Sequence, residues 1–411
     1  MRNKPYCNAP WLGLYYEGTV GCRPCCEWKG PTFEGNIKEY ETSGYLHDFK
    51  KMMYDDEESI YCRECTHNEK VGMPRSRRQY YDRWQCCSDE EMPFNRDVDG
   101  LHQIVRLDYR AGNKCNMMCR MCGPSSSSLL EDEVANNQNN VDFIKHINTE
   151  DVYSLDLSEC EEISILGGEP SIDLKVRKFM NYVADNHPNI RVVVTTNATN
   201  ASTKWFETLM KLCERSHDDF IGLQVILSVD ATGPTQEFQR KSNIKWNVIK
   251  KNLEKYREAG IGHKGCEISI QLTCTAINLV TIDKWWDELV NIGIKLDPNQ
   301  VWWPEGMAVS CIPTDLKHKS VEFLQNWIRN YKPGSIKVVG QDDDTHVYRT
   351  VETIINILGA TKFVGTEEFI ETQNRYDGYR DENILDLDER FKVMMEPHWS
   401  HKKYKAISNG R

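Results

Sequence analysis

Between residues 99 and 312 the chain alternates short strand-like runs with longer stretches whose apolar residues recur every three or four positions. The short runs fall at 103–109, 162–166, 190–195, 222–228, 266–273 and 297–302, each the length of a β-strand. Between them, Val176, Phe179, Met180 and Val183 repeat at i, i+3, i+4, i+7, and so do Ile282, Trp285, Trp286 and Leu289. Trp246, Ile249, Leu253 and Tyr256 make a narrower stripe. These stripes predict helices packed on a sheet. Repeated strand–helix units imply parallel strands. Six units fall short of a closed eight-unit barrel, which takes about 250 residues. The expectation is therefore an α/β fold, an open, TIM-like partial (β/α)6 barrel over residues 99–312. Beyond it, Val321, Leu324 and Ile328, then Val351, Ile354, Ile355 and Leu358, predict a helical extension over 313–411. Residues 123–160, with Ser125–Ser128 and Asn136–Asn140, read as a polar loop or a poorly ordered segment. The run Trp302-Trp303-Pro304-Glu305 is expected to pack, the other use of such a run being the wall of a pocket.

Residues 1–98 differ in character. Long apolar runs are few, one helix is predicted around Tyr45–Tyr54, and half of the chain's 16 cysteines lie here: Cys7, Cys22, Cys25, Cys26, Cys62, Cys65, Cys86 and Cys87. A module this poor in apolar residues is expected to fold around a metal. The composition, 39% hydrophobic and 27% charged, is that of an ordinary water-soluble protein. No transmembrane helix and no secretory leader are expected, which makes the expected compartment the cytoplasm. Clustered cysteines in that compartment point to metal rather than disulfides. The formal charge of −11 argues against an extended nucleic-acid surface. The basic run holding Lys70, Arg75, Arg77, Arg78 and Arg83 is read as a solvated face, with a phosphate or carboxylate contact as the other option.

The strongest chemical signal follows the first strand. Ile104–Tyr109 empties into a loop carrying Cys115, Cys119 and Cys122. These spacings let three thiolates converge on one centre. Structural zinc usually takes four ligands, and a cubane four-iron cluster has four irons to cap. Three local ligands leave one iron open to a molecule that is not protein; a zinc knuckle borrowing a fourth ligand is the competing account. If one strand carries the cysteines at its C-terminal end, the other strands' C-terminal ends should face the same site. They carry Gly167-Gly168-Glu169-Pro170, then Asn197-Ala198-Thr199, then Ser228-Val229-Asp230, followed by Gln239-Arg240-Lys241, with Gln271 and Thr273 a weaker signal. Paired glycines admit close approach, and a glutamate there can accept from an ammonium.

The loop Cys115-x3-Cys119-x2-Cys122 after a strand resembles the signature of radical S-adenosylmethionine (SAM) enzymes, although Met121 stands where that family commonly has an aromatic residue. The resemblance implies a [4Fe-4S] cluster whose open iron is chelated by SAM, and the partial barrel as fold. It implies that Met121 helps hold the adenine by its backbone, that Gly167, Gly168, Glu169 and Pro170 contact the SAM amino group, and that Arg240 pairs with its carboxylate. Asn197 lies in the counterpart of the family's Thr-Asn-Gly, and Ser228 and Asp230 are expected to hydrogen-bond a ribose. The pattern Cys7-Asn-Ala-Pro-Trp, Gly21-Cys-Arg-Pro-Cys25-Cys26 and Cys62-Arg-Glu-Cys65 resembles the SPASM/twitch modules that hold auxiliary [4Fe-4S] clusters. Here it precedes the barrel, as in a less familiar twitch group. The implied ligands are Cys7, Cys26, Cys62 and Cys65, with Cys25 competing for the second place; Cys22, Cys86 and Cys87 have no assigned role. A zinc module, with His67 assisting, is the alternative. The implied activity is reductive SAM cleavage to a 5′-deoxyadenosyl radical acting on a peptide or protein side chain. A small metabolite or nucleotide substrate, or a non-catalytic redox sensor, are the other readings. A flavodoxin- or ferredoxin-type reductant is the implied partner.

Overall fold

The computed structural model describes residues 7–55, 59–70, 98–99, 102–138, 144, 146–217, 220–260, 266–341 and 343–396. Arg75, Arg77, Arg78, Arg83, Cys86 and Cys87 lie outside them. The strands are β1 (Gly13–Glu17), β2 (Gly21–Arg23), β3 (Arg106–Arg110), β4 (Met118–Cys119), β5 (Glu162–Ile165), β6 (Arg191–Thr196), β7 (Leu223–Ser228), β8 (Arg240–Lys241), β9 (Glu267–Cys274) and β10 (Lys295–Gln300). All six runs expected from the sequence form strands. The chain divides into two compact units, 1–114 with 142–194 and 211–223, and 115–141 with 195–210 and 224–411. Both are discontinuous in sequence.

In the first unit the order is β2-β1-β3-β5-β6, parallel except for the β1–β2 hairpin. β1 pairs in parallel with β3 (Gly13↔Arg106 to Glu17↔Arg110), so the cysteine-rich segment contributes a strand to the sheet itself. Period-2 alternation sorts the faces of β3. Leu107 and Tyr109 face the helix Leu174–Asn186, with the Tyr109 ring 4.8 Å from that of Phe179. Leu107, Ile163, Ile165, Val176, Phe179, Met180, Val183, Val192 and Val194 are all buried, each such side chain contributing about 1.5–3 kcal/mol. The helix starts where the Asp173 carboxylate accepts from the Lys175 N–H (2.8 Å). The alternate residues of β3 form a polar face. Arg106 pairs with Glu162 and donates to Ser164 Oγ (2.8 Å). Glu17 lies 3.2 Å from Arg23 and 3.6 Å from Arg110, and both guanidiniums lie over the Tyr15 ring.

In the second unit β7, β9 and β10 run parallel, and β4 and β8 form a separate antiparallel pair. Leu253, Tyr256, Trp285, Trp286 and Leu289 are buried, as their spacing predicts. Trp205 Nε1 donates to Tyr256 Oη (2.6 Å), which satisfies two buried polar groups at once. Helices Thr314–Asn330 and Thr345–Ala360 fill the expected extension. Two expectations fail here. Residues 128–137 are a helix rather than loop, because Ser127 caps it by accepting from Leu130 N (3.3 Å). Trp302 and Trp303 do not pack: they are 51% and 68% exposed, and Trp303 stands beside Gly123.

Candidate functional site

The three loop cysteines come together. The Cys119 thiol is hydrogen-bonded to Cys122, which holds Cys119 well above and Cys122 below the ordinary thiol range, and Cys122 also feels the charge of Cys115. The loop is fixed from several sides. β4 places Cys119 opposite Arg240 and Met118 opposite Lys241, and Arg120 N donates to Gln239 O (2.9 Å). Ser127 Oγ donates to Met117 O (2.6 Å), and Ser128 Oγ bonds both the N–H and the carbonyl of Cys115 (3.3 Å each). Asn116 joins the end of β6: its Nδ2 donates to Thr199 Oγ1 (2.9 Å) and its Oδ1 accepts from Asn197 Nδ2 (2.9 Å). Asn197 is thus a loop-holding residue. Ala198 sits at φ +59°; Asn252 Nδ2 donates to its carbonyl (2.9 Å). Met121 is half-buried.

Among the described residues no group of three or more histidine, cysteine, aspartate or glutamate side chains stands ready to hold a single metal ion. A cubane cluster makes a different demand, since it spreads its ligand sulfurs over separate corner irons. Three adjacent thiols on one tight loop, with a guanidinium Nη1 3.9 Å from Cys119 Sγ, fit that demand.

That guanidinium belongs to Arg240. Asp230 is fully buried and its four acceptor positions are filled. Oδ2 takes Arg240 Nε (2.5 Å) and Gln239 Nε2 (2.9 Å), and Oδ1 takes Arg240 Nη2 (3.1 Å) and Thr273 N (2.9 Å). A carboxylate so engaged has no capacity left for a ribose hydroxyl. Burial opposes the Arg240 charge, but Asp230 and then Cys119 outweigh it and hold its pKa above the usual value. Asp230 binds two of its three nitrogens, and the third faces the cysteine. Gln239, Thr275 and Asn278 complete this buried network, with Thr275 Oγ1 donating to Gln239 Oε1 (2.7 Å) and Asn278 Nδ2 to Asp230 O (2.8 Å). Ser228 ends β7, partly exposed.

In the first unit, Gly167 (φ +118°) and Gly168 are required by the chain's own approach. A Cβ on Gly167 would lie 2.9 Å from Gly112 O, and one on Gly168 2.2 Å from Lys114 O. Glu169 N donates to that same Lys114 carbonyl (2.7 Å). The Gly-Gly-Glu-Pro turn therefore seats the three residues that lead directly into Cys115. Glu169 is buried and its carboxylate accepts from Ser171 N (3.0 Å); Pro170 is also buried.

The N-terminal cysteines also gather. Cys7 belongs to a buried cluster with Trp11, Trp28, Phe49 and Met53, against which Cys25 and Cys62 pack. Burial pushes the Cys25 thiol up, and the neighbouring Cys26, Cys7 and Cys65 add to the shift. Cys26 lies 3.9 Å from Glu27 and is electrostatically coupled to Arg110, at the C-terminal end of β3. Cys22 is buried in β2, and burial raises its pKa.

Residues 109–287, from the middle of β3 to the helix Ile282–Val290, match the sequence model of the Radical SAM superfamily. The likeness is confined to that stretch, and the fold is α/β with a mostly parallel sheet, as in that superfamily. No curated protein matches the sequence. Among solved structures, the chain is similar to Streptococcus suis SuiB bound to S-adenosylmethionine (14% identity, TM-score 0.34, 55% of this chain and 48% of that one). SuiB bound to precursor peptide SuiA is 14% identical (TM-score 0.37, 57% and 48%). Native anSMEcpe with bound AdoMet and Cp18Cys peptide is 15% identical (TM-score 0.36, 57% and 62%). The chain spans about half the length of the SuiB structures. Among the described residues no helix is long and apolar enough to cross a membrane.

Sequence reasoning missed Asn116, Arg120, Gln239 and Asn278, which hold the cysteine loop and Arg240. One signal was available: Arg120 is the charged residue between Cys119 and Cys122.

Proposed function

We propose that the chain reductively cleaves SAM and uses the resulting radical to abstract hydrogen from a peptide or protein side chain. The observation that carries this reading is the convergence of the Cys115, Cys119 and Cys122 thiols on one loop inside the stretch that matches the Radical SAM superfamily. Those three would hold a [4Fe-4S] cluster, which when bound to SAM supplies one electron to the sulfonium, giving methionine and a 5′-deoxyadenosyl radical. The protein's part is orientation and exclusion of water. Glu169 would accept from the SAM ammonium, the Met121 backbone would border the adenine and Ser228 would meet the ribose. Arg240, held by Asp230, keeps a positive charge beside the thiolates. Cys7, Cys62, Cys65 and one of the Cys25–Cys26 pair would hold an auxiliary cluster. The packing of Cys25 and Cys62 on the Cys7 cluster supports this, and so does the coupling of Cys25 to Cys65. The peptide class rests on the likeness of these cysteines to the twitch pattern. A flavodoxin- or ferredoxin-type protein would deliver the electron in the cytoplasm.

The test is anaerobic reconstitution followed by SAM and dithionite. About eight irons per chain are expected, from two cubane clusters, together with 5′-deoxyadenosine, which the combined Cys115→Ala, Cys119→Ala and Cys122→Ala variant no longer forms. Cleavage by that variant at the wild-type rate refutes the reading. Stoichiometric zinc with four irons removes only the auxiliary cluster.

A further inference from the structure

The helix Glu367–Arg380 has no apolar stripe, yet Gln373, Tyr376, Asp377 and Arg380 fall at i, i+3, i+4, i+7 and share one face. That face meets the cysteine loop. Arg120, fully buried, donates from Nη1 to Gln373 Oε1 (2.9 Å), and from Nη2 to Asp377 Oδ1 (2.7 Å) and Glu382 Oε2 (2.8 Å). Its Nε donates to Phe238 O (3.4 Å), and the guanidinium lies 3.8 Å from the Phe238 ring centroid. Two further ties flank this one. Arg380 forks Glu133 of the helix Ser128–Asn137, at 2.7 and 2.8 Å. Lys241, opposite Met118 across the β4–β8 pair, pairs with Glu382. Tyr376 lies within electrostatic reach of Cys122.

We propose that the segment Gln373–Glu382 is a clamp that sets the arc from Cys119 to Cys122, with Arg120 the positioning residue it grips. The inference rests on the reading of that loop as the holder of a [4Fe-4S] cluster. A buried guanidinium must be paired, and its planar fork fixes orientation as well as distance. Arg120 is the residue next to Cys119 and two before Cys122. A rotation of the arc that moved either thiolate would therefore tear the guanidinium from three acceptors. The charges of Arg120 and Lys241 are balanced by Asp377 and Glu382. Removing a carboxylate leaves uncompensated positive charge beside the loop, which favours the more negative, reduced state of whatever the thiolates hold.

The experiment uses Asp377→Asn and Glu382→Gln, singly and together, in the full reconstituted chain. Iron release to a ferrous chelator is expected to quicken by about 10-fold or more, towards the range seen when the shell around a metal site is disturbed, and the midpoint potential to move positive. Arg390→Ala serves as the control. It breaks the Asp283 and Asp388 pairs elsewhere in the extension and should lower the melting temperature without altering iron release. Iron release and potential both unchanged in the double variant overturn the clamp. If the wild-type chain holds no four-iron cluster, the reading of function fails separately. The clamp is then measured in the metal-free chain by a double-mutant cycle on Arg120→Lys and Asp377→Asn. Coupled losses in urea midpoint uphold it, and additive losses overturn it.

Discussion

Asp230→Asn tests the centre of the buried network most directly. The substitution keeps the shape of the side chain but removes the charge facing Arg240, which is only 9% exposed. Arg240 then stays buried with no counter-charge, a change that costs about 3–5 kcal/mol in comparable buried pairs. The new amide makes matters worse. Both oxygens of Asp230 accept, from Arg240, Gln239 and Thr273, so whichever end becomes NH2 confronts donors. The assay is thermal unfolding of the metal-free chain, which keeps cluster loss out of the comparison. A loss of this size should lower the midpoint by about 4–6 °C in a chain of this length. Arg240→Gln removes the stranded charge, so the double variant should recover part of the loss, with a coupling of roughly 0.5–3 kcal/mol. A drop worth less than about 1 kcal/mol, or strict additivity of the two substitutions, refutes the claim that Asp230 is the counter-ion that holds Arg240.

Two further expectations follow from the same geometry. Gly168→Ala would place a methyl 2.2 Å from the Lys114 carbonyl oxygen, a backbone atom that cannot swing aside. It should cost about 2 kcal/mol or more and impair iron loading at the adjoining Cys115, and a variant with wild-type melting and iron content contradicts it. Burial lowers Lys317, whose Nζ donates to Thr361 O (2.6 Å), to about 8 from 10.5. The unfolded chain then binds this proton more tightly than the folded one. The resulting penalty is constant below about pH 8 and is relieved as pH rises towards 10.5, by up to about 3 kcal/mol. Urea midpoints across that window should climb more steeply in the wild type than in Lys317→Met, and parallel curves disprove the assignment.

What the sequence determined by itself was local. The six strands and the buried stripes were legible because period 2 and period 3.6 are written into neighbouring residues. The Cys115–Cys122 triplet was legible because ligands on one short loop need only spacing. Tertiary structure decided what depends on remote partners. Glu17 meets Arg110 only because β1 docks in parallel on β3, and nothing in Leu14-Tyr15-Tyr16 announces that pairing. That Arg240 and Asp230 bind one another depends on the fold, which brings together residues ten positions apart. Trp302 and Trp303 read as core by residue type alone, yet they are exposed beside Gly123. The helix Glu367–Arg380 was opaque because the face that matters is polar. Its meaning depends on Arg120, which bonds residues 253, 257 and 262 positions away. A buried charge takes its partner from whatever the fold brings within hydrogen-bond reach, and that choice has no period along the chain.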